Sequence, residues 1–288
     1  MSIPRRARID FRRGRARPES IIGVMSTENR GFAAAVQPVA QTVISTPSTG
    51  LDAGDVRIGA ADGEIPAYFA RPAGKSNLPV VLVVHEIWAL HEHFRDVCRR
   101  LAREGYLAVA CDFFARQGDP SNLEIEEIRK IVARVPDAQV LSDLDAAALW
   151  AASHGGDVKR IAATGFCWGG RIVWLYAAHN PALRAGVAWY GKVEAPASPL
   201  QPKHAIVIVA HLKAPVLGLY GGADAGIPNE GVDRMRAAIR AAGKPSEIHT
   251  YPDTPHAFYA DYRPSYRKRE AEDGWQRMLE WMRRHGVA

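Results

Sequence analysis

Residues 79–84 read PVVLVV, six positions without a polar side chain. A run like this predicts a strand covered on both faces, as in a parallel sheet flanked by helices. The neighbouring sequence keeps to that plan. HFRDVCRRLAREG spaces its apolar residues along one helix face and closes at Gly105, and YLAVAC follows as the next strand. Helices are expected near 123–134 and 138–154. RIAAT then leads through GFCWGG into a helix ending near 178, with RAGVAWYG and PVLGLYG (215–221) as further strands. A helix near 228–242, the strand SEIHTYP and a terminal helix near 269–285 complete the series; AIVIVAHL (205–212) fits a buried strand or helix. Upstream, DVRIGAADGEIPAYFARP holds two alternating runs about Asp62-Gly63, a hairpin signal. Strands alternating with helices predict right-handed crossovers and an α/β fold, a mostly parallel central sheet with helices on both faces. Ligands then collect beyond the carboxyl ends of the strands.

Composition narrows the function classes. The chain has 288 residues, 47% of them hydrophobic, enough to build a substantial core in one large domain. Its formal charge is +6, but residues 1–20 alone hold seven arginines against Asp10 and Glu19. The body is therefore close to neutral, which argues against nucleic acid as its partner. The arginine-rich start lacks the apolar segment of a secretory signal and is expected to be a disordered basic extension, residues 1–40; Met25 offers a second start. Residues 41–288 form the expected domain. No apolar run approaches the roughly 18 residues of a membrane span, so no membrane partner is expected. Cys98, Cys111 and Cys167 form no CxxC pair, and an odd count of free thiols suits a reducing cytoplasm. Cys98, within a helix, and Cys111, ending a strand, read as packing residues.

The chemistry lies in the loops that follow strands. Glu86 follows PVVLVV, Cys167 sits at the corner after RIAAT, Asp224 follows PVLGLYG, and His256 follows the last strand in DTPHAF. The chain order Cys167, Asp224, His256 is the nucleophile–acid–histidine order of an α/β-hydrolase, with cysteine for serine. The spacing G-x-C-x-G suits a strained turn whose small neighbours let a helix approach a strand, presenting the thiol at the helix N-terminus. A thiolate is favoured there. His256 would serve as base and then acid, and Asp224 would orient its ring. The backbone N–H groups of Ile87 and Trp168 are expected to form the oxyanion hole. HEIWALHEH is rich in histidine and glutamate, but a zinc helix needs H-E-x-x-H and position 89 is Ala, so no metal is expected.

These motifs resemble the dienelactone hydrolase family over roughly residues 50 to 285. The resemblance rests on VVHEIWALHEHFRDVCRRLAREGYLAVACDFFARQGDP, GFCWGG, APVLGLYGGAD and PHAFYADY. It implies an α/β-hydrolase fold, no cofactor, and hydrolysis of enol-lactones or other esters, with Cys167 as nucleophile, His256 as base and Asp224 as its partner. It also implies that Glu86 pairs with the thiol at rest and helps deprotonate it when substrate arrives. The family clamps a substrate carboxylate with an arginine four residues after the histidine, where this chain has Ala260. Arg263 or Arg116 would have to substitute, and Trp88, Trp168, Phe258 and Tyr259 would wall the pocket. A carboxylesterase or thioesterase on the same triad remains open, as does a non-catalytic binding protein of the same fold. The expected partner is a small ester or lactone, in a monomer or homodimer.

Overall fold

The computed structural model describes residues 42–288; the expected basic extension and Met25 lie outside the described residues. Eight strands form one sheet: β1 (Leu51–Ala60), β2 (Gly63–Pro72), β3 (Leu78–Val84), β4 (Leu107–Cys111), β5 (Gly156–Phe166), β6 (Leu183–Trp189), β7 (Val216–Gly221) and β8 (Glu247–Tyr251). Their order is β1-β2-β4-β3-β5-β6-β7-β8. β1 and β2 form the hairpin expected at Asp62-Gly63, with Ala60 opposite Gly63, and β2 pairs antiparallel with β4. All later pairings are parallel. The helices are α1 (Glu92–Arg103), α2 (Ile125–Ala133), α3 (Asp137–Ser153), α4 (Trp168–His179), α5 (Ala205–Ile208), α6 (Asn229–Ala241) and α7 (Lys268–Arg284).

Every residue of β4 and β7 is buried, and so is all of β3 except Pro79. Helices therefore cover both faces of the sheet, as the apolar runs require. α1 places Phe94, Val97, Cys98, Leu101 and Ala102 on its buried face, the i, i+3, i+4, i+7, i+8 spacing of an amphipathic helix. Burial pushes the thiols of Cys98 and Cys111 up, as befits packing residues. AIVIVAHL becomes the short α5 followed by a 3-10 turn, Val209–His211. β5 is longer than RIAAT alone: it starts at Gly156, and its pairing with β3 shifts register between Pro79 and Val80. The added residues Gly156–Lys159 are partly or fully exposed, so no apolar run marked them.

Register aligns the carboxyl ends of the strands. Val84 pairs with Gly165, Phe166 with Trp189, and Gly221 with Tyr251. One sheet edge thus emits Glu86, Cys167, Tyr190, Asp224 and His256. One of the tightest points on that edge is where α4 leaves β5. A Cβ on Gly169 would lie 2.3 Å from the Val84 carbonyl and 2.5 Å from that of His85. Gly169→Ala should therefore destabilise the fold by about 1–3 kcal/mol through overpacking against backbone, measured by urea unfolding. Unchanged stability would contradict this close approach.

Candidate active site

Cys167 joins β5 to α4 with φ 54° and ψ −112°. A residue other than glycine held there costs about 1–3 kcal/mol, which the surrounding packing must offset. The turn is pinned by the Cys167 N–H donating to the Trp189 carbonyl at 2.9 Å and the Arg171 N–H donating to the Cys167 carbonyl at 3.3 Å. Among the described residues six non-glycine residues have positive φ, and four of them, Ala89, Cys167, Tyr190 and Ala257, lie in loops leaving this sheet edge. Strain is concentrated where function is expected.

The acid and the histidine meet because their loops are clasped. The Gly222 N–H donates to the Tyr251 carbonyl at 2.7 Å and the Ala223 N–H to that of Thr254 at 3.0 Å. Asp224 is 5% exposed. Its Oδ1 accepts the Gly226 N–H at 2.8 Å, leaving Oδ2 for His256 Nδ1 at 2.6 Å. That contact assigns a proton to Nδ1 and turns Nε2 toward the thiol, to which His256 is hydrogen-bonded. Burial opposes protonation of His256, but Asp224 and Cys167 outweigh it and raise its pKa from 6.5 to about 10. The carboxylate behind the ring and the sulfur in front of it both favour the charged form.

Glu86 is 2% exposed. Among the described residues it pairs with His91 and Arg263, each at 3.6 Å. Burial opposes its ionisation, yet His91 and Arg263 hold its pKa below the ordinary carboxylate value. Both contacts are longer than hydrogen bonds, and Glu86 lines the same cavity as Cys167. His85 is structural. Its Nδ1 donates to the Glu86 carbonyl at 2.7 Å and its Nε2 accepts the Phe113 N–H at 3.1 Å. Burial lowers its pKa to about 3. His93 pairs with Asp261 at 3.1 Å. Each histidine of HEIWALHEH therefore faces a protein partner.

A cavity of about 870 Å³ opens over the thiol and is lined by Glu86, Ile87, Trp88, Trp168, Tyr190, His256 and Arg263, among others. Trp168 is the first residue of α4, so its N–H has no intrahelical acceptor. Trp168 and Ile87 both line the cavity with Cys167. Three expected pocket residues stand elsewhere. Arg116 is bound by both oxygens of Asp143, at 2.7 and 2.8 Å, and by Asp62 at 2.8 Å. Phe258 and Tyr259 are buried under the floor, against Trp189 and Tyr190. The aromatic residues after His256 belong to the core because Ala257, at φ 58°, redirects the chain. Tyr190 went unremarked in the sequence although it too follows a strand. Its ring stands edge-on to His256, 5.1 Å between centroids. Burial, Glu86 and Cys167 keep its phenol protonated. Arg171, Lys192 and His204 also line the cavity.

Comparison with known proteins follows this geometry. The pattern of the dienelactone hydrolase family matches residues 65–286. A Methylorubrum extorquens protein provisionally named carboxymethylenebutenolidase is 58% identical over 262 residues, 90% of each chain. One of the same provisional name from Escherichia coli (strain K12) is 54% identical over 264 residues, 91% of this chain and 97% of that one. The crystal structure of a provisionally named dienelactone hydrolase from Klebsiella pneumoniae is 56% identical, with a TM-score of 0.80 over 81% of this chain and 98% of that one. An acylaminoacyl peptidase from Pyrococcus horikoshii, 16% identical with a TM-score of 0.64, shares the fold alone; it covers 82% of this chain and 42% of its own.

The raised pKa of His256 sets the direction of a pH effect. Its stabilising contribution is full below about 6.5 and is lost as pH rises through about 10. In a histidine NMR titration His256 should remain protonated at pH 8, and Asp224→Asn should move its midpoint down. A midpoint near 6.5 in both proteins would contradict the raised pKa.

Proposed function

The chain belongs to the dienelactone hydrolase family, and on that premise we propose that it hydrolyses carboxylic ester or lactone bonds through Cys167, His256 and Asp224. The observation that carries this reading is the 2.6 Å contact of Asp224 with His256 behind a thiol held on a strained turn at the cavity floor. The sulfur attacks the acyl carbon, and the N–H groups of Ile87 and Trp168 receive the developing oxyanion. Collapse of the tetrahedral species breaks the C–O bond. The imidazolium of His256 gives its proton to the departing alkoxide, leaving an acyl-thioester and a neutral ring. That ring then takes a proton from water as the water attacks the thioester, and the thiolate leaves as the acid is released. Asp224 keeps the ring in one tautomer through both steps. Glu86 contributes a buried negative charge near the thiol, restrained by His91 and Arg263.

The substrate side of this reading follows from position 260. With Ala260 in place of the family's arginine and Arg116 engaged by Asp143, Arg263 is the cation beside Glu86 at the catalytic end of the cavity. Its charge is already partly neutralised by Glu86. A lactone carrying a free carboxylate should then bind less well than a neutral ester.

On a panel of lactones and p-nitrophenyl esters, Cys167→Ala should lower kcat on the order of 10³-fold or more. Retention of most activity would overturn the nucleophile. On the same panel, kcat/KM for dienelactone should fall below that for p-nitrophenyl acetate. The reverse order, abolished by Arg263→Ala, would make Arg263 a carboxylate clamp.

A further inference from the structure

The triad occupies one side of the cavity, and the opposite side is built around a different arginine. Arg171 lies one helical turn after Cys167 on α4, lines the cavity and is 4% exposed. Its guanidinium forms a two-pronged pair with Asp137, the first residue of α3, both contacts at 2.7 Å. The same group donates to His204 Nδ1 at 3.0 Å and to the Lys203 carbonyl at 2.7 Å. An arginine cannot accept a hydrogen bond, so His204 Nδ1 carries no proton and its Nε2–H donates to the Pro196 carbonyl at 3.2 Å.

These bonds act on segment 191–204, which is mostly irregular chain. Three more hydrogen bonds join it to the same place. The Gln201 side-chain amide donates to the Val132 and Val135 carbonyls at 2.9 and 3.3 Å, and the Asp137 N–H donates to the Leu200 carbonyl at 2.9 Å. The segment is thereby tied to the α2–α3 junction, and both sides of the tie face the cavity: Ile125 and Val132 from α2, Ala195 and Gln201 from the segment. A buried ion pair is poor evidence of added stability, since desolvation can cancel its attraction. A guanidinium with four directional bonds instead specifies where its partners stand. The space so enclosed, about 870 Å³, is near the top of the range for small-molecule sites and far exceeds what an acetyl ester fills.

We propose that Arg171 is a positioning residue that fixes the wall made by α2 and segment 191–204, and that this wall receives an extended apolar chain on the substrate. The proposal deepens the hydrolase reading by naming the substrate class, an ester or lactone with an aliphatic body reaching Ile125 and Val132. Lys192 and Arg129 also line the cavity, but both are solvent-exposed and Arg129 is paired with Glu126 at 2.6 Å, so neither supplies a buried counter-charge for an anionic body.

The test measures alkylation of Cys167 by chloroacetone and by 1-chloro-2-decanone, followed by mass spectrometry. In each reaction the sulfur forms a bond to the chlorinated carbon and chloride leaves, so no turnover is needed. The full chain should label at a half-saturating concentration about tenfold or more lower with the decanone, since several methylenes leave water together. Arg171→Met should lose most of that preference, and the loss should fall on the half-saturating concentration more than on the maximal rate. Removing the guanidinium strands the Asp137 carboxylate and can prevent folding. Gln201→Ala and His204→Ala therefore serve as second variants: they leave the Arg171–Asp137 pair intact and should lose preference in the same direction. A chain-length preference absent from the parent protein, or unchanged in all three variants, would overturn the proposal. Clear preference without hydrolysis of any ester would leave the wall standing and refute the hydrolase reading instead.

Discussion

At the corner between β5 and α4, α4 approaches the sheet so closely that Gly165, Gly169 and Gly170 each lie where a Cβ would meet backbone atoms at 2.6 Å or less. The opposing atoms belong to Val84 and His85, to Trp189, and to α4 itself. Cys167 is thereby forced out of ordinary backbone geometry and onto the sheet edge. The same contacts bring the ends of β3, β5 and β6 together, so Glu86, Cys167 and Tyr190 share one floor. With larger residues at the three glycines the helix would stand off and Cys167 would be displaced from the sheet edge. The geometry of the site is set by what is missing from these side chains.

Charge is arranged around that corner in two separate groups. Asp224 and His256 form one, in which a nearly buried carboxylate accepts from His256 Nδ1 and favours the charged form of the ring. Glu86, His91 and Arg263 form the other, a buried carboxylate held between two partners at 3.6 Å. Both contacts are longer than ordinary hydrogen bonds. Glu86 is therefore held by charge more than by fixed geometry, and an arriving ligand that engages Arg263 would change its balance. Farther out, Asp261 joins His93 and Arg100, anchoring the loop that carries both His256 and Arg263 to α1.

Much of this was legible in the sequence. Continuous apolar runs marked the central strands because both faces of β3, β4 and β7 are covered, and chemistry could be sought in the loops after them. Cys167, Asp224 and His256 were found that way, since strand ends that align in register bring their loops together. Other features left weaker traces. Phe258 and Tyr259 looked like pocket walls, but the positive φ of Ala257 turns them into the core, and no pattern in PHAFYADY encodes that reversal. Arg116 looked available because its partner Asp143 is 27 residues away on α3. Arg171 was invisible for a related reason. Its acceptors, Asp137, Lys203 and His204, come from both sides of it in the chain, and only the folded sheet places them around one guanidinium. Tyr190 could have been found by extending the same search to the end of RAGVAW.

The central claim is that sulfur, rather than water activated in place, attacks the acyl carbon. The most direct measurement is acid quench during steady-state turnover of a slow ester, followed by peptide mass spectrometry. The account predicts a labile acyl group on the peptide containing Cys167, accumulating when deacylation is slowed by His256→Ala after loading with an activated ester. Turnover with no acyl group on that peptide, or with the acyl group on another residue, would contradict it.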